Sequence, residues 1–127
     1  ASRTPGIKIF MGSSTGELLV DDQDCLERIF SETSLPICAH CEDETLMQEN
    51  RTKVGRIRDV TYHSRIRDNQ VAVTATRRAI NLALQYDHRF HVLHSGWRCV
   101  DTGWREHRLF GVGGGEDAVI FGPSSRR

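Results

Sequence analysis

Lys8 stands in the apolar run of "GIKIFMGSSTG", residues 6–16, and small, hydroxyl-rich residues follow it. Burial disfavours the charged form of an amine, so a lysine here calls for a reason. A lysine held neutral reacts with carbon dioxide to give a carbamate. The product is an anion whose two oxygens suit it to bridge divalent metals, which in paired sites lie about 3.5–4 Å apart and activate a shared hydroxide. The plainer alternative is a lysine whose stem packs in the core while its amine snorkels outward. His40 in "LPICAH" and His94 in "RFHVLH" each close a short apolar run. Neutral imidazole is a common zinc ligand; either ring alone is more often a hydrogen-bonded structural histidine, and two at equivalent strand ends strengthen the ligand reading. His91 lies three residues before His94, so the two should face opposite sides of a strand; His94 is taken as the site residue. His88 and His107 read as exposed, and His63 as a cap or loop residue.

Cys38 and Cys41 in "CAHC" have a Cys-x-x-Cys spacing. Where that spacing opens a helix after a strand, the helix dipole lowers a thiol pKa and supports thiol–disulfide exchange. The plain alternative is two small buried residues at a strand end. A zinc knuckle needs a second pair, which Cys25 and Cys99 do not supply.

The elements that must position these groups are readable from periodicity. Residues 6–11, 35–40 and 89–94 read as buried strands. Asp21 and Asp22 can cap a helix that runs to about Thr33, with Leu26, Ile29 and Phe30 at helical spacing. Acidic residues 42–44 suit the first turn of a second helix. Residues 51–63 are polar and read as a loop. Helical spacing returns from about Ile66 to Tyr86, with Val73, Ile80 and Leu84 on one stripe and Ala72, Ala79 and Ala83 beside it. Strands alternating with amphipathic helices predict an α/β architecture with parallel strands, in which functional groups gather at the carboxyl ends of the strands.

Composition narrows the partners. Seventeen Lys+Arg balance seventeen Asp+Glu among 127 residues, so net charge gives no case for nucleic acid or an anionic membrane as partner. No apolar run approaches the roughly 20 residues of a membrane span. The first residues lack the apolar core of a secretory signal and a starting Met, as expected of a processed chain or a piece of a gene. Four sparsely spaced cysteines point to a reducing, cytoplasmic setting. Residues 95–127 differ from the rest: they hold seven of the eleven glycines, both tryptophans and no lysine. "GVGGGED" lacks both the lysine of a phosphate-binding loop and the spacing of a dinucleotide fingerprint, and reads as part of an irregular tail.

Taken in order, "GIKIFMGSSTG", "LPICAHCEDE" and "RFHVLH" resemble the dihydroorotases of the cyclic amidohydrolase family over roughly residues 5–94. The resemblance implies a fragment, roughly half, of a (β/α)₈ TIM barrel, with two zinc ions at the strand carboxyl ends in full-length members. It implies that Lys8 is the carboxylated bridging lysine and that His40 and His94 hold one zinc. Ser14 and Thr15 fall where family members have a loop near substrate. The implied reaction interconverts dihydroorotate and N-carbamoyl-aspartate in pyrimidine biosynthesis. Allantoinases and dihydropyrimidinases share the same metal logic and are the nearest alternatives. A Cys-x-x-Cys oxidoreductase and a non-catalytic fragment are the alternatives of other classes.

The sequence also departs from that family. A full barrel needs about 250 residues. No His-x-His occurs, and neither the last-strand proton-shuttling aspartate nor a substrate-carboxylate arginine is recognisable. Residues 1–94 are therefore expected to be a partial amidohydrolase barrel, and 95–127 a divergent tail, disordered or translated from a GC-rich frame shifted by one base. The isolated chain is expected to be inactive. The open edges of a partial barrel invite association, including a homo-oligomer.

Overall fold

The computed structural model describes residues 4–12, 18–56 and 59–93, together with the backbone of 110–111 and 119–121. Three parallel strands, β1 (Ile7–Met11), β2 (Ile37–Cys41) and β3 (Phe90–Leu93), lie side by side. Helix α1 (Gln23–Glu32) links the first two. Helices α2 (Glu44–Val54), α3 (Tyr62–Ile66) and α4 (Asn69–Gln85) link the second and third. The expected α/β order with parallel pairing is thus present. Lys8 pairs with Cys38 and Phe10 with His40; on the next strand Cys38 pairs with His91 and His40 with Leu93. Residues 18–20 return along the outer edge of β1, where Leu19 bridges Phe10 and the Val20 amide donates to the Phe10 carbonyl at 2.8 Å.

Each long helix opens on an aspartate. Asp22 accepts from the Cys25 amide at 3.0 Å, Asp43 from Leu46 at 2.9 Å and Asp68 from Val71 at 3.0 Å. Each such cap satisfies an amide with no partner inside the helix and stabilises by about 1 kcal/mol. Helix α2 runs to Val54, so residues 51–54 are helical where a loop was expected. Met47 anchors this polar helix in a small cluster with Ile66 and Val71, and an Arg51–Glu44 ion pair at 3.0 Å ties its ends. Residues 62–66 form a further short helix that begins inside the same expected loop and ends where the next helix was expected to start.

Strand alternation divides the sheet. Ile9, Met11, Ile37, Ala39, Cys41, Phe90 and Val92 point to the face covered by α1 and α4, where Leu26 and Phe30 meet Ala75, Ala79, Ile80, Leu82 and Ala83. The α4 stripe differs from the expected one: Val73 is only half-buried and Leu84 is 43% exposed, while Val71, Ala75 and Leu82 are buried. Small alanines let the helix approach the sheet closely, so the larger residues at flanking positions are left at the margin. His88, expected to be exposed, is buried. Its Nε2 faces the hydroxyl and carbonyl of Thr33, its Nδ1 faces the Arg89 carbonyl, and its ring meets Phe30 edge-on at 5.7 Å.

Two short strands come from the region expected to be irregular. β4 (Phe110–Gly111) and β5 (Val119–Phe121) pair antiparallel with each other, and β5 pairs antiparallel with β3. β-branched and aromatic residues at 119–121 suit an edge that still offers backbone donors and acceptors. Among the described residues, no helix is long and apolar enough to cross a membrane.

Gly12 ends β1 at φ +127°, where a Cβ would lie 2.1 Å from the Glu42 carbonyl oxygen; Gly55 has φ +69° with nothing within 4 Å of that position. Backbone strain costs about 1–3 kcal/mol at either site. Gly12→Ala adds the collision and should lower the urea midpoint distinctly more than Gly55→Ala.

Candidate functional site

The sheet face opposite α1 and α4 carries the residues with chemistry. Lys8, Phe10, Cys38, His40, His91 and Leu93 alternate with the core residues and are half-buried or, for Lys8, exposed. Lys8 and His40 therefore share one face on neighbouring strands, with His40 two residues nearer the carboxyl rim. Strand spacing and rise put their Cα atoms roughly 8 Å apart, within reach of a lysine stem carrying a carbamate and an imidazole converging on one ion. Only as its carbamate would Lys8 join His40 in a donor set of the kind a divalent metal takes.

Lys8 is not buried, contrary to expectation, and lies near the amino end of β1 rather than at its carboxyl end. Among the described residues the helices cover the other face, and the Lys8 side chain is exposed on this one. The Lys8 Nζ sits 4.8 Å from the Phe10 ring centroid, a cation–π contact along the strand. Within β3, His91 shares the face of Lys8 and His40, and the register sets it beside Cys38. His94, Ser14 and Thr15 lie outside the described residues. Among the described residues, no three His, Cys, Asp or Glu side chains gather in a metal-holding group.

Two residues missed by the sequence reading shape the site. Glu42 belongs to no helix: Asp43 is the cap of α2 and Glu44 its first-turn acid, so Glu42 turns back toward the rim. Its Oε2 lies 2.8 Å from His40 Nε2 and 2.6 Å from Arg67 Nη1. Arg67 follows α3, and its amide donates to the His63 carbonyl at 3.0 Å. Nothing in the local sequence signals a pairing across 25 residues.

The two cysteines of "CAHC" do not form a redox centre of the kind that opens a helix. Both lie inside β2, where residues three apart face opposite sides. Cys41 is buried in the core, and that burial pushes its thiol up to about 12, although a hydrogen bond with Thr76 and the charge of Lys8 act the other way. A thiol in that condition holds almost no thiolate at neutral pH.

Comparison with known proteins bears on the family and the fold. No family model matches the chain. Over 96 residues it is 31% identical to a dihydroorotase of Methanosphaera stadtmanae, covering 72% of this chain and 21% of that one. The L-hydantoinase (dihydropyrimidinase) of Arthrobacter aurescens superposes with a TM-score of 0.63 at 25% identity, covering 70% of this chain and 21% of that one. The dihydropyrimidinase of Brevibacillus agri superposes with a TM-score of 0.59 at 24% identity, over 71% and 20% of the two chains, which bears on the fold alone. The chain spans about a fifth of the length of these relatives. The resemblance to the cyclic amidohydrolases, as a partial chain, is borne out.

The state of Cys41 has a measurable consequence. An unfolded thiol ionises near its ordinary value of 9.0, whereas the folded one keeps its proton to about 12. Between those values the unfolded state binds fewer protons, so stability falls as pH rises. Urea unfolding compared at about pH 8 and pH 10.5 should show this loss in the wild type and less of it in Cys41→Ala. Alkylation at the lower pH should label exposed Cys25 and spare Cys41.

Proposed function

We propose that this chain is the part of a cyclic amidohydrolase barrel that carries the bridging lysine and the two histidines of one of its two zinc ions. The observation behind this reading is the β1–β2 register, which sets Lys8 and His40 on one sheet face at an offset a shared ion can span. The similarity to a dihydroorotase and to a hydantoinase supports the reaction class. Lys8, as its carbamate, would contribute two anionic oxygens, and His40 a neutral imidazole, with His94 as the companion histidine. Bound zinc supplies Lewis acidity and a water acidified to near pH 7. Ser14 and Thr15 would face the substrate.

The substrate we assign is dihydroorotate, interconverted with N-carbamoyl-aspartate in the cytoplasm as a step of pyrimidine synthesis. A dihydropyrimidinase-like activity on a related cyclic amide is the second reading, favoured by the hydantoinase fold match. Both open a ring amide and both need the same bridging anion. The exposure of Lys8 also bears on carbamate formation. An amine at the open face meets dissolved carbon dioxide directly, but it meets water as well, which favours the ammonium. Metal binding to the carbamate anion must then drive the modification.

This coupling sets the test. With zinc and ¹³C-bicarbonate, the purified chain should show a carbamate carbon resonance that disappears in Lys8→Ala and on chelation. His40→Asn should weaken zinc binding by about a hundredfold or more, beyond the range typical of outer partners. Turnover of dihydroorotate and of hydantoin by the chain alone should be absent. A carbamate signal that persists without Lys8, or zinc binding indifferent to both substitutions, would overturn the reading.

A further inference from the structure

We infer that Arg67 and Glu42 act as a two-residue clamp that fixes the ring of His40, so that it presents Nδ1 to a divalent metal. This rests on the metal-site reading above and adds positioning residues to it. The argument starts from one oxygen atom. Glu42 Oε2 is shared by Arg67 Nη1 at 2.6 Å and His40 Nε2 at 2.8 Å. Arginine is always a donor, and a carboxylate paired with it only accepts. His40 Nε2 must therefore carry its proton toward Glu42. The lone pair of the neutral ring then belongs to Nδ1, and coordination through Nε2 would require breaking the contact with Glu42.

The clamp is built on pinned backbone. The Glu42 amide donates to the Met11 carbonyl at 3.2 Å, and the adjacent Asp43 amide donates to the Val71 carbonyl at 3.1 Å. Gly12 leaves room for the Glu42 carbonyl where no side chain could stand. The Glu42 side chain is only 13% exposed, so its pairing with Arg67 and His40 is poorly screened by water. Arg67 is held in turn at the end of α3, whose Ile66 packs on Met47 and Val71. A carboxylate that accepts from a ligating histidine fixes its tautomer and ring angle and raises its basicity, and losing such a partner costs about 10–100-fold in metal affinity.

Two readouts test the clamp. In the metal-free chain, ¹⁵N–¹H correlation spectra of the histidine rings should show His40 protonated at Nε2. Glu42→Met should abolish that preference, and Arg67→Met should weaken it. Zinc titration by calorimetry should show both variants binding about 10–100-fold more weakly, with Arg67→Lys, which keeps the charge, recovering part of the loss. Circular dichroism and a thermal unfolding curve establish that each variant is folded. His40 protonated at Nδ1, or full zinc affinity in folded Glu42→Met, would overturn the clamp. If the wild type binds no zinc, the metal-site reading fails with it, and the ring tautomer then shows whether a purely structural contact remains.

Discussion

Parallel pairing of β1, β2 and β3 in one register is the constraint on which the rest depends. Side chains alternate along each strand, so once α1 and α4 cover one face, every second residue is committed to the other. Ile9, Ala39 and Val92 then fill the core, and Lys8, His40 and His91 are placed together on the opposite face. A slip of one residue in β2 would bury His40 and put Ala39 beside Lys8. The chemistry of the site and the packing of the core are two outcomes of one alignment.

The covered face explains why that alignment holds. Phe30, Phe90 and His88 form an aromatic group beneath the end of α1, with Phe30 and Phe90 centred 5.5 Å apart. Alanines along α4 bring its axis close to β2 and β3. Arg78 reaches back to Asp21 and Gln23 at 2.8 Å each and joins the start of α1 to the middle of α4. These contacts tie the two helices to each other and to the sheet.

Much of this was legible in the sequence, and the exceptions share a cause. The three strands, the Asp22 cap and the long final helix follow from local patterns: apolar runs, an aspartate before a helical stripe, and recurrence at three and four residues. What escaped depends on partners distant in the chain. The reach of α2 through Val54 rests on Met47 meeting Ile66 and Val71. The burial of His88 rests on Thr33, 55 residues earlier. Lys8 looked buried because its neighbours are apolar, but a strand does not state how many of its faces are covered. The link from Arg67 through Glu42 to His40 crosses two loops, and neither acidic nor basic residue is unusual in its own stretch. Of the candidate site, Lys8 could be read from residue type and His40 from residue type and its place near the end of a strand; their common face needed the register.

The antiparallel seam between β3 and β5 changes what this sheet can join. In a closed ring of parallel strands, the outer border of β3 is where the following strand would enter, running the same way. Here that border is already bonded by a segment running in reverse, at Phe90 with Phe121 and His91 with Ile120. Any incoming parallel strand must first evict it. Enlargement of the sheet on this side is therefore an exchange of one occupant for another, whereas on the far side of β1 the described residues place a short return at Leu19.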